Sequence, residues 1–106
     1  MLITIVNHNH NDQALALANN LRPFAPVLTI DSGSELTDGQ KTAFDITLPN
    51  VFYSGCLNAA YQTALENATS DTLFFICSDI KIADPGQLVA HARQALADRS
   101  IGVYAP

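Results

Sequence analysis

Ile76-Cys77-Ser78-Asp79-Ile80 ends an apolar run, Leu73 to Ile76, in a lone carboxylate. An acid in that position can hold a hard divalent cation or simply cap the turn that follows. A second apolar run, Val27 to Ile30, ends in Asp31-Ser32-Gly33-Ser34. The first, Leu2 to Val6, runs out into the polar string Asn7-His8-Asn9-His10-Asn11-Asp12. Ligands of open α/β sheets gather in the crevice at the carboxyl ends of the strands. Two acid-tipped strands beside a polar-tipped one therefore predict a shared crevice with Asp31 and Asp79 in it. His8 and His10 alternate on an extended segment and point to one side, which is the spacing of a two-histidine metal pair, although no third ligand is evident. The same alternation also serves to line a crevice or to face solvent, and His91 falls on a helix surface.

The elements that must position these residues alternate strand with helix, the signature of a mainly parallel sheet covered by helices. After the first strand, Asn11 or Asp12 can cap a helix to about Arg22, with Ala14, Leu17, Ala18 and Leu21 on one stripe; Pro23 and Pro26 end it. Glu35 to Thr42 is polar and contains Asp38-Gly39, leaving room for at most a short helix. A short strand, Asp45 to Leu48, closes at Pro49-Asn50. Ser54-Gly55 then opens a helix whose apolar stripe reads Leu57, Ala60, Tyr61, Ala64, Leu65 and Ala68. Asp84-Pro85 is a cap followed by proline in the first turn, starting a helix to about Asp98 that buries Leu88, Val89, Ala92 and Leu96. Ile101 to Tyr104 reads as a final strand. The expected fold class is α/β: a Rossmann-like three-layer α/β/α arrangement on a mainly parallel sheet of about five strands.

Composition narrows the function. At 106 residues, 48% apolar and 14% charged, the chain fits one globular domain. A net charge of −5, with only five Lys and Arg scattered along the chain, argues against nucleic acid as a partner. No apolar run approaches the roughly 20 residues of a membrane span, and no signal-type segment opens the sequence, so a cytoplasmic location is expected. Cys56 and Cys77 match no zinc spacing and read as reduced, buried thiols. Ser54 has no His and acid in triad order, and the Gly33 and Gly55 turns lack dinucleotide-binding or P-loop spacing.

Several segments in order resemble the N-terminal, nucleotide-binding half of family 2 glycosyltransferases with the GT-A fold. They are Ile3 to Asn9, Leu28 to Ser34, Asn50 through Asn58 to Ala64, Asp71 to Ile80, and Ile101 to Pro106, nearly the whole chain. The resemblance implies a nucleotide-diphosphate sugar as ligand and a divalent metal, Mg²⁺ or Mn²⁺, bridging its phosphates. Carried over, it places Asp31 at the nucleoside and Asp79 at the metal. Asn7, Asn9 and Ser34 join the nucleotide site, and Asn58 is either a nucleotide contact or a polar residue at a helix start. Such a metal would stabilise the charge that develops on the pyrophosphate leaving group.

The sequence departs from that pattern at three points. Cys77, a poor ligand for a hard cation, stands at the first position of the expected metal motif. Leu57 stands where many relatives carry Arg or Lys. The acceptor site and catalytic base of that family lie in a C-terminal half beyond the matched region, so no catalytic base is assigned. The competing expectation is a non-catalytic interaction module on the same fold. Ile101 to Tyr104, an apolar strand with no helix after it, further predicts a homodimer that buries this last strand.

Overall fold

The computed structural model describes residues 1–67 and 72–98. Its order is β1 (Leu2–Asn7), α1 (Asn11–Leu21), β2 (Val27–Ser32), α2 (Asp38–Ala43), β3 (Ile46–Leu48), α3 (Phe52–Asn67), β4 (Leu73–Cys77) and α4 (Pro85–Ala97). Among the described residues the sheet has four strands in the order β3-β2-β1-β4, all parallel. The fold is therefore α/β and Rossmann-like. The expected last strand, Ile101 to Tyr104, and the dimer built on it lie outside the described residues.

β1 is one of the two inner strands and is buried along its whole length. Its register, Ile5 opposite Thr29 of β2 and Ile76 of β4, fixes the two faces of the sheet. Side chains alternate across a strand. Ile3, Ile5 and Ile76 go to one face, where they pack against Ala14, Leu17, Ala18 and Leu21 of α1 and Val89 of α4. Val6 and Ile30 go to the other, under Cys56 and Ala60 of α3, with Leu28, Leu73 and Phe75 beside them. Helices on both faces of a sheet buried in this way follow from a parallel topology, whose crossover connections put them there.

Local signals explain most boundaries. Asp84 accepts from the Gln87 amide at 3.0 Å and Pro85 occupies the first turn, so α4 begins where the sequence places it. α2 is short and carries a reciprocal cap between Thr37 and Gln40. Three boundaries differ. α1 starts after His10 without a side-chain cap: Asn11 Oδ1, the atom that could accept from a helix amide, accepts instead from the Asn7 side-chain amide at 2.8 Å, while Asn11 Nδ2 donates to Glu35 O (2.8 Å) and Gln40 Oε1 (3.3 Å). β3 begins at Ile46, since Asp45 instead accepts from the Thr29 amide (2.8 Å) and hydroxyl (3.1 Å). α3 begins at Phe52, two residues before Ser54, and its buried residues are Cys56 and Ala60. Leu57, Tyr61 and Leu65 of the expected apolar stripe are 39%, 58% and 58% exposed. In α4, Val89 and Ala92 are buried while Leu88 and Leu96 are half-buried.

Candidate functional site at the carboxyl ends of the strands

Strand parity sorts the polar residues at the strand ends into two groups. Asn7 and Asp31 face the α1 side and are 0% and 1% exposed. The Asn7 amide nitrogen lies 2.9 Å from Asp31 Oδ1, 2.8 Å from Asn11 Oδ1 and 3.3 Å from Ser34 Oγ, and its carbonyl accepts from the His10 amide at 3.1 Å. Asp31 Oδ2 accepts from the Ser34 amide at 3.1 Å. The Asn9 amide donates to Ser34 Oγ at 2.7 Å. A buried carboxylate must be satisfied by donors. Asp31 has them from both loops, so this cluster clamps the β1–α1 loop to the β2–α2 loop.

The second group opens a cleft of about 360 Å³ over the α3 side of the sheet. Val6 and Cys77 form its floor, His8, His10, Ser32, Ser78 and Asp79 its polar rim, and Asn50, Phe52 and Tyr53 its wall. Each comes from a strand end or from the entrance to α3. β1 connects through α1 and β2 to β3 on one side of itself, and the chain then crosses to β4 on the other side. The cleft therefore lies at the topological switch point between β1 and β4, where open parallel sheets bind ligands.

The wall is held to the β2 end by short contacts. Gly33, at φ +66°, donates to Leu48 O at 2.8 Å, and a side chain there would meet Asn50 backbone at 2.7 Å. Ser32 Oγ accepts from the Val51 amide at 3.1 Å. Phe52 enters α3 at φ +57°, a conformation that costs a bulky residue on the order of 1 kcal/mol or more. Its amide donates to Asn50 Oδ1 at 3.3 Å. The Tyr53 ring packs edge-on against Phe75, with centroids 4.8 Å apart.

Asp79 differs from Asp31 in exposure and in partners. It is exposed, and its carboxylate makes no hydrogen bond or ion pair among the described residues. The turn it occupies is closed by backbone alone, Ile80 N to Cys77 O at 3.3 Å, so Asp79 caps nothing there. His8 donates from Nδ1 to the Ser32 carbonyl, since a carbonyl can only accept; Nε2 is left to accept from the Asn9 amide at 3.2 Å. Burial raises the Cys77 thiol above its ordinary value, and the charge of Asp79 and the proximity of Cys56 raise it further. Burial likewise raises Cys56, against a lowering hydrogen bond with Ser32 and with a further push from Asp31. Both thiols stay protonated at neutral pH.

No family model, curated protein or solved structure matches this chain. Its site rests on geometry.

Of the residues expected from the sequence, Asp79 lines the cleft. Asn7, Asn9, Asp31 and Ser34 are brought together, as loop-to-loop partners beside it. Asn58 is exposed on α3 and is not among the residues lining the cleft. The single crevice expected to hold both acids is therefore two environments: Asp31 lies on the α1 face of β2, whereas Asp79, in the turn beyond β4, lines the cleft on the α3 side. Sequence reasoning missed Asn50, Phe52, Tyr53 and Ser32 as lining residues. The available signal was the Pro49-Asn50 break, which brings the chain back over the strand ends just before α3. Among the described residues no cluster of three His, Cys, Asp or Glu side chains is placed to hold a metal ion. No helix among them is long and apolar enough to cross a membrane.

Proposed function

We propose that the cleft binds a nucleotide-diphosphate sugar with a divalent cation, Mg²⁺ or Mn²⁺, as the donor-binding half of a GT-A-type glycosyltransferase. The observation that carries this reading is Asp79, a solvent-facing carboxylate with no hydrogen-bond or ion-pair partner among the described residues, at the switch point of a parallel sheet. Its isolation suits a cation shared with the ligand. Mg²⁺ keeps several waters and is commonly held by one or two carboxylates plus substrate phosphates, so a site with a single free acid fits once the diphosphate is present. Among the described residues no Lys or Arg lines the cleft, so the diphosphate charge calls for that cation. When bound, it would stabilise charge on the departing pyrophosphate. Cys77, a neutral thiol, forms floor rather than ligand, while Phe52 and Tyr53 offer aromatic surface to a base.

Calorimetric titration of UDP-, GDP- and dTDP-sugars with and without Mn²⁺ tests the reading. Heat is expected with at least one donor only when Mn²⁺ accompanies it, and Asp79→Asn is expected to remove the Mn²⁺ dependence. Absence of metal-dependent heat with every donor would end this reading. A second reading, a non-catalytic interaction module, is favoured by the exposed apolar residues of α3. On that reading Asp79→Ala leaves stability and partner affinity within about 0.5 kcal/mol.

A further inference from the structure

The first turn of α3 leaves donors over at the cleft. Amides in the first turn of a helix have no acceptor within it and must find one elsewhere. Of the four that open α3, Phe52 donates to Asn50 Oδ1 at 3.3 Å and Gly55 to Val51 O at 3.3 Å. The amides of Tyr53 and Ser54 have no acceptor among the described residues. Phe52 and Tyr53 line the cleft, so the amino end of this 16-residue helix opens into it.

A side-chain donor faces the same space. Ser78, just beyond β4, is 3% exposed; its amide continues the sheet by donating to Val6 O at 2.9 Å, and its hydroxyl makes no hydrogen bond among the described residues. What the residue leaves uncovered opens to the cleft it lines. Thr4 marks the contrast: its hydroxyl is also unpartnered, but it is wholly enclosed and does not line the cleft. Buried hydroxyls are normally paired, and an acceptor in the cleft is the partner that Ser78 can reach. The neighbouring Ser32 hydroxyl is already committed, to the Val51 amide at 3.1 Å.

We propose that Tyr53 N, Ser54 N and Ser78 Oγ form a subsite for one phosphoryl group, held by neutral donors and by the positive end of the α3 dipole. A phosphoryl group presents three strong acceptor oxygens to three donors. The inference rests on the proposed function for the identity of the ligand, a diphosphate, and adds a second means of holding it. The cation at Asp79 and the amino end of α3 share the charge. Because no Lys or Arg is among the described residues lining the cleft, these donors are what that lining itself offers an anion.

Amide NMR of the whole chain, titrated with Mg²⁺-pyrophosphate to about 10 mM, tests the subsite down to millimolar binding. The Tyr53, Ser54 and Ser78 amide signals are expected to move most. Ser78→Ala is expected to weaken binding about tenfold or more, the loss of one hydrogen bond to a charged group, with no fall in its thermal transition because the hydroxyl bonds nothing in the protein. Ser54→Asp sets a carboxylate beside the same amides. Its melting temperature is expected to hold or rise, since an acid suits a helix amino end, while pyrophosphate affinity falls about tenfold. Ser54→Ala keeps the amide and is expected to bind as the wild type does. Absence of shifts at Tyr53 and Ser54, or wild-type affinity in both Ser78→Ala and Ser54→Asp, overturns the subsite even where a sugar nucleotide gives Mn²⁺-dependent heat. Pyrophosphate that binds at these three residues while no sugar nucleotide gives heat leaves the subsite standing and ends the donor reading.

Discussion

Gly33→Ala isolates the joint between the β2 turn and the wall of the cleft. Two costs apply. At φ +66° an L-residue pays about 1 kcal/mol or more for the left-handed conformation. The new Cβ would also lie 2.7 Å from Asn50 N and Cβ and 2.8 Å from its Cα. Two of those three atoms are backbone, so no rotamer change relieves the contact and the β3–α3 loop must move. Overpacking of this kind costs about 1–3 kcal/mol. The total is about 2–4 kcal/mol, which at the urea dependence of a small domain, about 1–2 kcal/mol per molar, lowers the unfolding midpoint by roughly 2 M. Gly39 is the internal control: it lies in α2 with nothing within 4 Å of its added Cβ. Gly39→Ala is therefore expected to stabilise by about 0.5–1 kcal/mol, through helix propensity and a less flexible unfolded chain. Urea titrations followed by circular dichroism measure both. A Gly33→Ala protein within 0.5 kcal/mol of wild type, or a shift of the same sign for the two substitutions, would refute the reasoning.

Asn7→Ala should lower stability by about 3 kcal/mol, because it leaves the buried Asp31 carboxylate with the Ser34 amide alone and the His10 amide without its acceptor; the same urea titration checks it, with exposed Asn58→Ala expected within 0.5 kcal/mol. Alkylation kinetics test the Cys77 environment in a Cys56→Ser background: reaction at pH 7.5 should be slower than for a free cysteine, and Asp79→Asn should speed it by removing one of the charges that raise the thiol. An unchanged rate in Asp79→Asn would separate the two side chains. The two raised thiols also set a sign for alkaline pH: stability gained by keeping them neutral is present below their ordinary value of 9.0 and is lost as pH rises through the raised values. Thermal melts from pH 8 to 10 should fall more steeply for wild type than for a Cys56→Ser/Cys77→Ser protein.

The scaffold was legible because its signals are local. Leu2 to Val6, Val27 to Ile30 and Leu73 to Ile76 are apolar runs bounded by polar turns, and all three are strands. Asp84-Pro85 starts α4 through a hydrogen bond between neighbours. The division between the two acids was not legible. Both follow an apolar strand, and both sit beside a serine. What separates them is the strand register: Asp31 falls on the face of Thr29 and Val27 toward α1, whereas Cys77 follows Phe75 toward α3 and the turn beyond it carries Asp79 into the cleft on that side. A shift of one residue in where a strand pairs would exchange these environments. Pairing register depends on β1, 24 residues away from its β2 partners, and no local pattern encodes it.

The orientation of α3 shows the same limit from the side of packing. Its sequence offers two apolar arcs, a bulky one through Leu57, Tyr61 and Leu65 and a small one through Cys56, Ala59 and Ala60. Hydrophobicity alone favours burying the bulky arc. The structure buries the small one, over Val6 and Ile30 with Phe75 close by. The β strands already supply large side chains on that face, and interiors pack to a fixed density, so a helix lying close to them must present small residues. Tyr and Leu are then displaced outward, where water opposes them with on the order of 1 kcal/mol or more per side chain left uncovered. A helix selected only for covering this sheet would carry polar residues on its outer ridge. α3 instead carries Leu57, Tyr61 and Leu65 there, with Glu66 its one charge, which makes its outer face an exposed apolar patch.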